Sequence, residues 1–331
     1  MATTALSLEN PTLLDVIKVT NPDGSIAKVV ELLTKKTPAL EDMTFVEGNL
    51  PTGHRFTTRT GLPSIGWRRF NEGVASGKSR TDQIDETCGM LEGRSVVDVH
   101  LAKLNGNEAA YRAQEDMSFL ASFRNELETG IFYHSTKTAP EKFMGLAPRL
   151  DSLSGPYADQ IVTSQEASSG NDQSSMWFVT WSPETVFAIY PKGSAGGIQF
   201  TDRGVQGITD GSGNRFDAYE GVWNWKIGLC VKDARYVARI ASIDVSAIAK
   251  TGKLLLEDMI DAYHRLQDHT TGRLVIYCNR TIAKYLHLQA MDTVKNSTLA
   301  IENIGGRPVT TFLGAPVRVT DALTITEAAV A

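Results

Sequence analysis

Cysteine is scarce. Cys88, Cys230 and Cys278 stand far apart, odd in number and without a Cys-x-x-Cys pair, which argues against a disulfide framework or a zinc knuckle and fits reduced thiols in a cytosol. Long apolar runs are missing as well: none approaches the ~20 residues a membrane helix needs, and no positively charged start leads into an apolar segment. The expectation is a soluble, unexported protein, in which the sequon Asn296-Ser-Thr298 has no meaning. An excess of positive charge is also absent. A formal net charge of −5 argues against a dedicated nucleic-acid binder, which would normally show a basic patch or a high pI. There is no internal repeat and no low-complexity tract. With 331 residues, 42% hydrophobic and 21% charged, the chain can nevertheless bury a substantial core, in one large domain or two.

Recognisable catalytic motifs are lacking too. Pro191-Lys-Gly-Ser-Ala-Gly-Gly197 has the wrong order for a phosphate loop, since Lys192 opens it where a lysine should close it, and it reads as a turn between strands. Asp210-Gly-Ser-Gly-Asn214 begins like a calcium loop, but Arg215 occupies the position that requires glycine and Gly221 the position that requires a bidentate Glu. A hairpin loop is the better reading. The histidines (His54, His100, His134, His264, His269, His287) form no ligand pair, and no Gly-x-Ser-x-Gly elbow is present. No catalytic residue, metal ligand or cofactor is expected; a Ser/His/Asp or Cys/His site assembled only in three dimensions stays open as the enzyme alternative.

What is present is organised around one long helix, Asn107 to Thr129. Asn107 can accept from an early helical amide, Glu108 sits on the first turn, and Gly130 follows as a residue able to take φ > 0. Ala110, Ala113, Met117, Leu120, Ala121 and Leu127 recur at helical spacing, with Phe119 and Phe123 widening the stripe. Such a rod, roughly 33 Å long at ~1.5 Å per residue, is suited to lying across a sheet.

Ahead of it, residues 1 to 46 hold two short apolar groups around the Asn21-Pro22-Asp23-Gly24 turn, an arm that docks on something else. From Leu50 to Val99, His54–Thr60, Ile65–Phe70 and Arg94–Val99 favour β structure, and the stretch reads as a long two-stranded hairpin with a mobile tip. Between Pro51 and Arg80, Arg55, Arg59, Arg68, Arg69, Lys78 and Arg80 face one acid, Glu72, whereas Gly106 to Gly130 carries five acids and two arginines. The basic ribbon could be a solvated surface, a nucleic-acid arm, or a strap lying on the acidic face of another copy.

After the helix, Ile131–His134 reads as a strand and Gln165–Ser175 as an exposed loop. Met176–Trp181 and Val186–Tyr190 read as a hairpin, followed by ribbons over Val222–Val231 and Tyr236–Val245, an antiparallel sheet with one dry face for the helix to cover. The last third alternates: helix Leu254–Leu266, strand Leu274–Cys278, a helix capped by Asn279, a Gly305-Gly306 turn, and strands over Pro308–Phe312 and Gly314–Asp321.

These residues carry a resemblance. WFVTWSPETVFAIYPKGSAGG with WNWKIGLCVKDARYVARIASID, GNLPTGHRFTTRTGLPSIGWRRFNEG and FLGAPVRVTDAL are similar to segments of the major capsid proteins of short-tailed bacteriophages, of the Bordetella phage and epsilon-fifteen type. The resemblance covers most of the chain and implies an α+β fold of the Johnson type, with an N-terminal arm, extended loop, peripheral domain and axial domain. Trp177–Val245 precedes Leu274–Thr320, the reverse of familiar members, so altered strand order is expected. The implied division is 1–46 arm, 47–100 extended hairpin loop, 101–245 peripheral elements with the spine helix 107–129, and 246–331 axial-domain-like elements.

The implied function is a non-enzymatic subunit of an icosahedral head, self-assembling into hexamers and pentamers around double-stranded DNA. Its implied partners are copies of itself, with a decoration or cement protein, a scaffold and a portal, and no membrane. Its place is the virion, after assembly in the bacterial host cytoplasm. An encapsulin-like compartment is the structural alternative. The intersubunit strap is expected at Arg55, Arg59, Arg68 and Arg69, with Glu115, Asp116, Glu126 and Glu128 as counter-charges. Some relatives cross-link this loop through Lys and Asn; Lys78 lies near the tip, but no Asn or supporting acid is identified, and that chemistry is not expected.

Overall fold

The computed structural model describes residues 35–104, 106–165, 172–209, 213–246, 254–291, 299–304 and 307–330. Most of the expected arm, the Gly305-Gly306 turn and much of the 165–175 loop lie outside them. Helix α1 (Pro38–Asp42) and strand β1 (Phe45–Glu47) come first, then β2 (Gly53–Gly61), β3 (Arg80–Thr87), β4 (Gly89–Asp98), α2 (Val99–Lys103) and α3 (Glu108–Tyr133). Next are β5 (Ile161–Thr163), β6 (Gln173–Trp181), β7 (Val186–Tyr190), β8 (Ile198–Thr209), β9 (Arg215–Val231) and β10 (Val237–Asp244). The chain continues through α4 (Leu254–Arg265), β11 (Arg273–Cys278), α5 (Arg280–Met291), β12 (Leu299–Ile304), β13 (Arg307–Phe312) and β14 (Ala315–Val319).

The core is built on β6, all nine residues of which are buried. β10 and β11 pair antiparallel with it on either side. Its alternating side chains go to two cores. Trp177, Val179 and Trp181 join Leu127, Ile131 and Phe132 of α3, while Met176 and Phe178 join Leu255 and Met259 of α4 and Ile282 and Leu286 of α5. Both faces of the sheet are therefore dry, where the sequence suggested one. Phe132 meets Tyr277 edge-on at 5.8 Å, and the Trp181 indole donates to the Tyr277 hydroxyl at 2.8 Å, while the buried Trp177 indole N–H finds no partner among the described residues.

The expected hairpin of β6 and β7 does not form. Both edges of β6 are taken by β10 and β11, so the chain steps sideways at Ser182–Thr185 and continues in the same direction, touching β6 only at Trp181 and Val186. β7 pairs antiparallel with the end of β9 and parallel with β1. The polar 165–175 segment is also corrected in part: Gln173, Ser174 and Ser175 are buried at the start of β6.

Beyond the core the sheet extends into a ribbon. β9 pairs with β7 only over Gly228–Val231, and its earlier residues lie between β4 and β8. Here the reading of Leu50 to Val99 as one hairpin needs adjustment. The return strand is Arg80–Thr87, in register from Gly53↔Thr87 to Arg59↔Thr81, while Arg94–Val99 falls in β4 and α2 and belongs to the body. Ile65–Phe70 is not a strand but part of the connecting tip.

α3 bridges ribbon and core. Phe119 and Phe123 lie against Gly93 of β4, where an added Cβ would stand 3.2 and 2.9 Å from their rings. The helix runs through Gly130 to Tyr133, so Gly130 is no terminator and Ile131–His134 is no strand; His134, extended, ends it. Burial of Ile131 and Phe132 in the core decides this. Gly130 is small because a Cβ there would meet the His134 ring at 2.5 Å and Phe143 at 3.0 Å. Asn107 makes no side-chain cap bond. The expected apolar stripe is also displaced: Tyr111, Phe123, Leu127 and Ile131 are buried, Leu120 and Ala121 are half-buried, and Ala110, Ala113 and Met117 face solvent.

The C-terminal third follows the sequence closely. Asn279 Oδ1 accepts from Thr281 N at 3.0 Å, capping α5 as expected. β12, not anticipated, pairs with β13, and Leu313 and Gly314 make the two-residue turn to β14 with φ of 48° and 83°, as a type I′ turn requires. β14 lies parallel to β11. β6 and β10 share one core with α4, α5 and β14.

Candidate assembly surface

Two chain segments are fastened to the body by buried acids. The last residues of the expected arm dock on their own copy. Ala39 N and Leu40 N each donate to the Glu128 carboxylate at 3.1 Å, and the Thr320 hydroxyl adds a third bond at 2.9 Å. Burial pushes the Glu128 carboxyl up to about 7 against these donors. Asp42 meets Arg273 at 2.9 Å, Arg318 at 3.2 Å and the Tyr277 hydroxyl at 2.9 Å, and burial raises its pKa in spite of Arg318. At the other end the half-buried Glu327, its side chain only 8% exposed, meets Arg239 at 2.9 Å and accepts from the Tyr133 and Ser175 hydroxyls. A bulge puts Ser242 at φ 60°, where its Oγ receives Val330 N at 3.0 Å.

The hairpin is the opposite case. β2 and β3 form a two-stranded sheet of their own. Near its base the buried Glu86 forms a two-pronged ion pair with Arg149. Outward, burial ceases. Every residue from Leu62 to Lys78 is exposed, including Leu62 (81%), Ile65 (94%), Trp67 (105%) and Phe70 (99%). The tip is nonetheless a closed turn: Glu72 N donates to Arg69 O at 3.2 Å, and a Cβ on Gly77 would stand 2.7 Å from Ser64 O. Large apolar side chains left this exposed on a folded chain mark an interaction surface.

The expected charged residues divide. Arg59, Arg68 and Arg69 are exposed and make no ion pair among the described residues. Arg55 is engaged within the hairpin, its Nη2 donating to Asp85 at 2.6 Å, an exchange that holds the Asp85 carboxyl below its usual range. On α3, Asp116 accepts from Ser95 Oγ at 3.1 Å, and Glu126 pairs with Lys142 at 2.9 Å, which lowers its pKa. Glu115 is half-buried, and Glu128 is inside the protein, out of reach of a partner's arginine. The helix thus offers less free negative charge than its sequence suggested, because these acids serve the chain's own fold. The sequence reading missed the apolar content of the tip. The signal was there in Ile65-Gly-Trp67-Arg-Arg-Phe70, taken for a half-buried strand because its spacing suits one.

Among the described residues no group of three His, Cys, Asp or Glu is placed to hold a metal, and the half-buried Cys88 and buried Cys230 and Cys278 have thiols pushed up to about 11, 12 and 12 by burial, which makes them poor nucleophiles.

The family model described as major capsid protein GP7 matches residues 21–331. The structure of bacteriophage Epsilon15 contains a chain 37% identical, with 100% of this chain and 99% of that one covered and a TM-score of 0.78. The capsid of bacteriophage JBD30 is 11% identical over 88% of this chain and 92% of that one, with a TM-score of 0.51, a likeness of fold alone. A search of curated proteins finds no match.

Proposed function

The chain belongs to the major capsid protein GP7 family and is a structural subunit of a bacteriophage head, and from that premise we propose how it builds the shell. Copies join as hexamers and pentamers that close into an icosahedron around double-stranded DNA. The hairpin is the strap between copies, through its apolar tip and through Arg59, Arg68 and Arg69. The observation that carries this is the exposure of Ile65, Trp67 and Phe70. Fully burying such side chains is worth about 1.5–3 kcal/mol each, so a surface that leaves all of them in water within one copy is completed by another. Repeated around a closed shell, modest contacts of this size give a particle whose strength is distributed over many interfaces.

This reading places assembly in the host cytoplasm, with scaffold, portal and decoration proteins as partners, and gives the chain no catalytic task. Negative acid balance suits a wall that surrounds DNA without gripping it. The test is to express the chain and examine the purified material by negative-stain microscopy. Uniform shells are expected; small monodisperse particles would favour the enzyme alternative. Nuclease-protected double-stranded DNA inside shells recovered from an infection separates a phage head from an encapsulin-like compartment, which would hold protein.

A further inference from the structure

The tip of the hairpin and a small pocket beside α3 are complementary. Met90 and Leu91 of β4, Leu127 of α3, Phe143 and Ile227 enclose a mostly apolar pocket of about 110 Å³. Leu127, Phe143 and Ile227 form a buried floor, while Met90 stands half out at the mouth. A cavity of about 150 Å³ lined by such side chains holds a benzene, so this smaller, open pocket seats the edge of a larger ring with the rest lying at its mouth. Glu126, Glu141 and Lys142 also border it. Lys142 is tied to Glu126 at 2.9 Å, and Glu141 is exposed with no ion pair among the described residues, so the rim carries net negative charge. His134 behind them adds no counter-charge at neutral pH, because burial, reinforced by Lys142, depresses its pKa.

We propose that this pocket receives Trp67 from the hairpin of an adjacent copy, with Arg68 and Arg69 beside the unpaired Glu141 carboxylate at the rim. The proposal rests on the shell reading above and deepens it by naming the seat of the strap. The chain's own tip cannot be the occupant. The pocket begins at Gly89, which lies at the foot of the same hairpin. From Thr87 the strand leads away over eight residues to Arg80, a reach of about 25 Å at ~3.4 Å per residue, before the tip begins. A tip held that far from its own foot can fill an identical pocket only on a second molecule. The ring meets an apolar floor and the two arginines follow it in the chain, an arrangement in which a tryptophan with adjacent guanidiniums forms the centre of an interface.

The decisive experiment replaces Trp67 with p-benzoylphenylalanine, assembles shells from a mixture of light and isotope-labelled copies, irradiates, and maps the attachment sites by mass spectrometry. Attachment to residues 89–91 or 141–143 of the other copy is expected. Attachment elsewhere in an intact shell overturns the pocket while leaving the shell reading in place. A second variant, Met90→Trp, fills the mouth without touching the hairpin, and is expected to lower shell yield at least tenfold at unchanged monomer melting temperature. Met117→Trp, at a similarly exposed position, serves as control and should assemble as the parent does. Normal shell yield from Met90→Trp overturns the proposal even if the photoreactive variant fails to assemble. If the unmodified chain forms no shells, the shell reading itself fails.

Discussion

β6 and β8 are strands of one sheet, nine and twelve residues long, yet every residue of β6 is buried and none of β8 is. β6 has a partner on each edge and a covered face on each side, whereas β8 pairs only with β9 and ends the ribbon. The contrast repeats between the aromatic core around Trp177 and the naked tip around Trp67. It teaches that the chain divides its apolar residues between a body that one copy completes and a limb that one copy leaves open. Long exposed edges are a liability in a solitary protein; in a shell subunit they are material for neighbours.

The largest expected effect tests that division directly. Trp177→Ala opens a cavity beneath Phe132 and should cost about 3–5 kcal/mol of folding stability. Phe200→Ala on β8 removes a half-exposed ring that rests on Trp223 at 4.4 Å, and should cost about 1 kcal/mol or less. Denaturant unfolding of the unassembled chain measures both. Equal losses would break the comparison, since the ribbon would then be as self-sufficient as the core.

Next, Glu327→Ala strands the buried Arg239 charge and frees the tail. A loss of about 3 kcal/mol is expected, seen as a lower melting temperature and earlier proteolysis near the C-terminus. The body would thereby prove to be closed by its own tail; an unchanged melting temperature would mean that the tail belongs with the limb.

How legible these regions were in the sequence follows the same line. The core strands were read correctly in place because Trp177–Trp181 and Leu274–Cys278 are dense in apolar residues, and the α5 cap because Asn279 has a local bond to make. Pairing was less legible, as with β6 and β7, because edge occupancy is decided by β10 and β11, sixty to a hundred residues away. Gly130 misled because core burial overrides a local stop signal. On the candidate surface, charge showed where the hairpin was but misjudged its counterpart: a carboxylate in the sequence does not reveal that Glu128 faces inward to hold Ala39 and Leu40. Nor does an aromatic reveal that no core awaits it.

Glu128 supplies a pH test of how firmly the arm's root belongs to the body. Its carboxyl rises from an ordinary 4.5 to about 7 on folding. The folded chain thus holds a proton that the unfolded chain releases, so this group's contribution to stability falls as pH rises from about 4.5 to about 7 and is level above that. Over that window the drop is on the order of 3 kcal/mol at most. Melting curves at pH 5 and pH 8 should show a smaller difference in Glu128→Gln than in the parent. Asp258, raised by burial in the same direction, remains in both proteins and cancels, whereas Asp42 is coupled to Glu128 and its share of the pH dependence belongs to the pair. An identical pH dependence in the two would show that the carboxylate stays ionised and that its three donors outweigh its burial.

The smallest effect on folding, and the sharpest separation of body from limb, is expected from Arg68→Glu combined with Arg69→Glu. Both side chains are exposed and without an ion pair among the described residues, so their reversal should change the stability of the unassembled chain by less than about 0.5 kcal/mol. Assembly is different, because each exposed pair across an interface contributes about 0.2–1 kcal/mol and reversal turns attraction into repulsion at every strap. Shell formation followed by light scattering should therefore be weakened at ~0.15 M salt, where charges act over about 8 Å, and recover part of the way at ~1 M, where they act over about 3 Å. Trp67→Ala should be weakened at both concentrations, since apolar contact is not screened. Should the charge reversal leave assembly and its salt sensitivity unchanged, the arginines are bystanders and the strap is held by its aromatic tip alone.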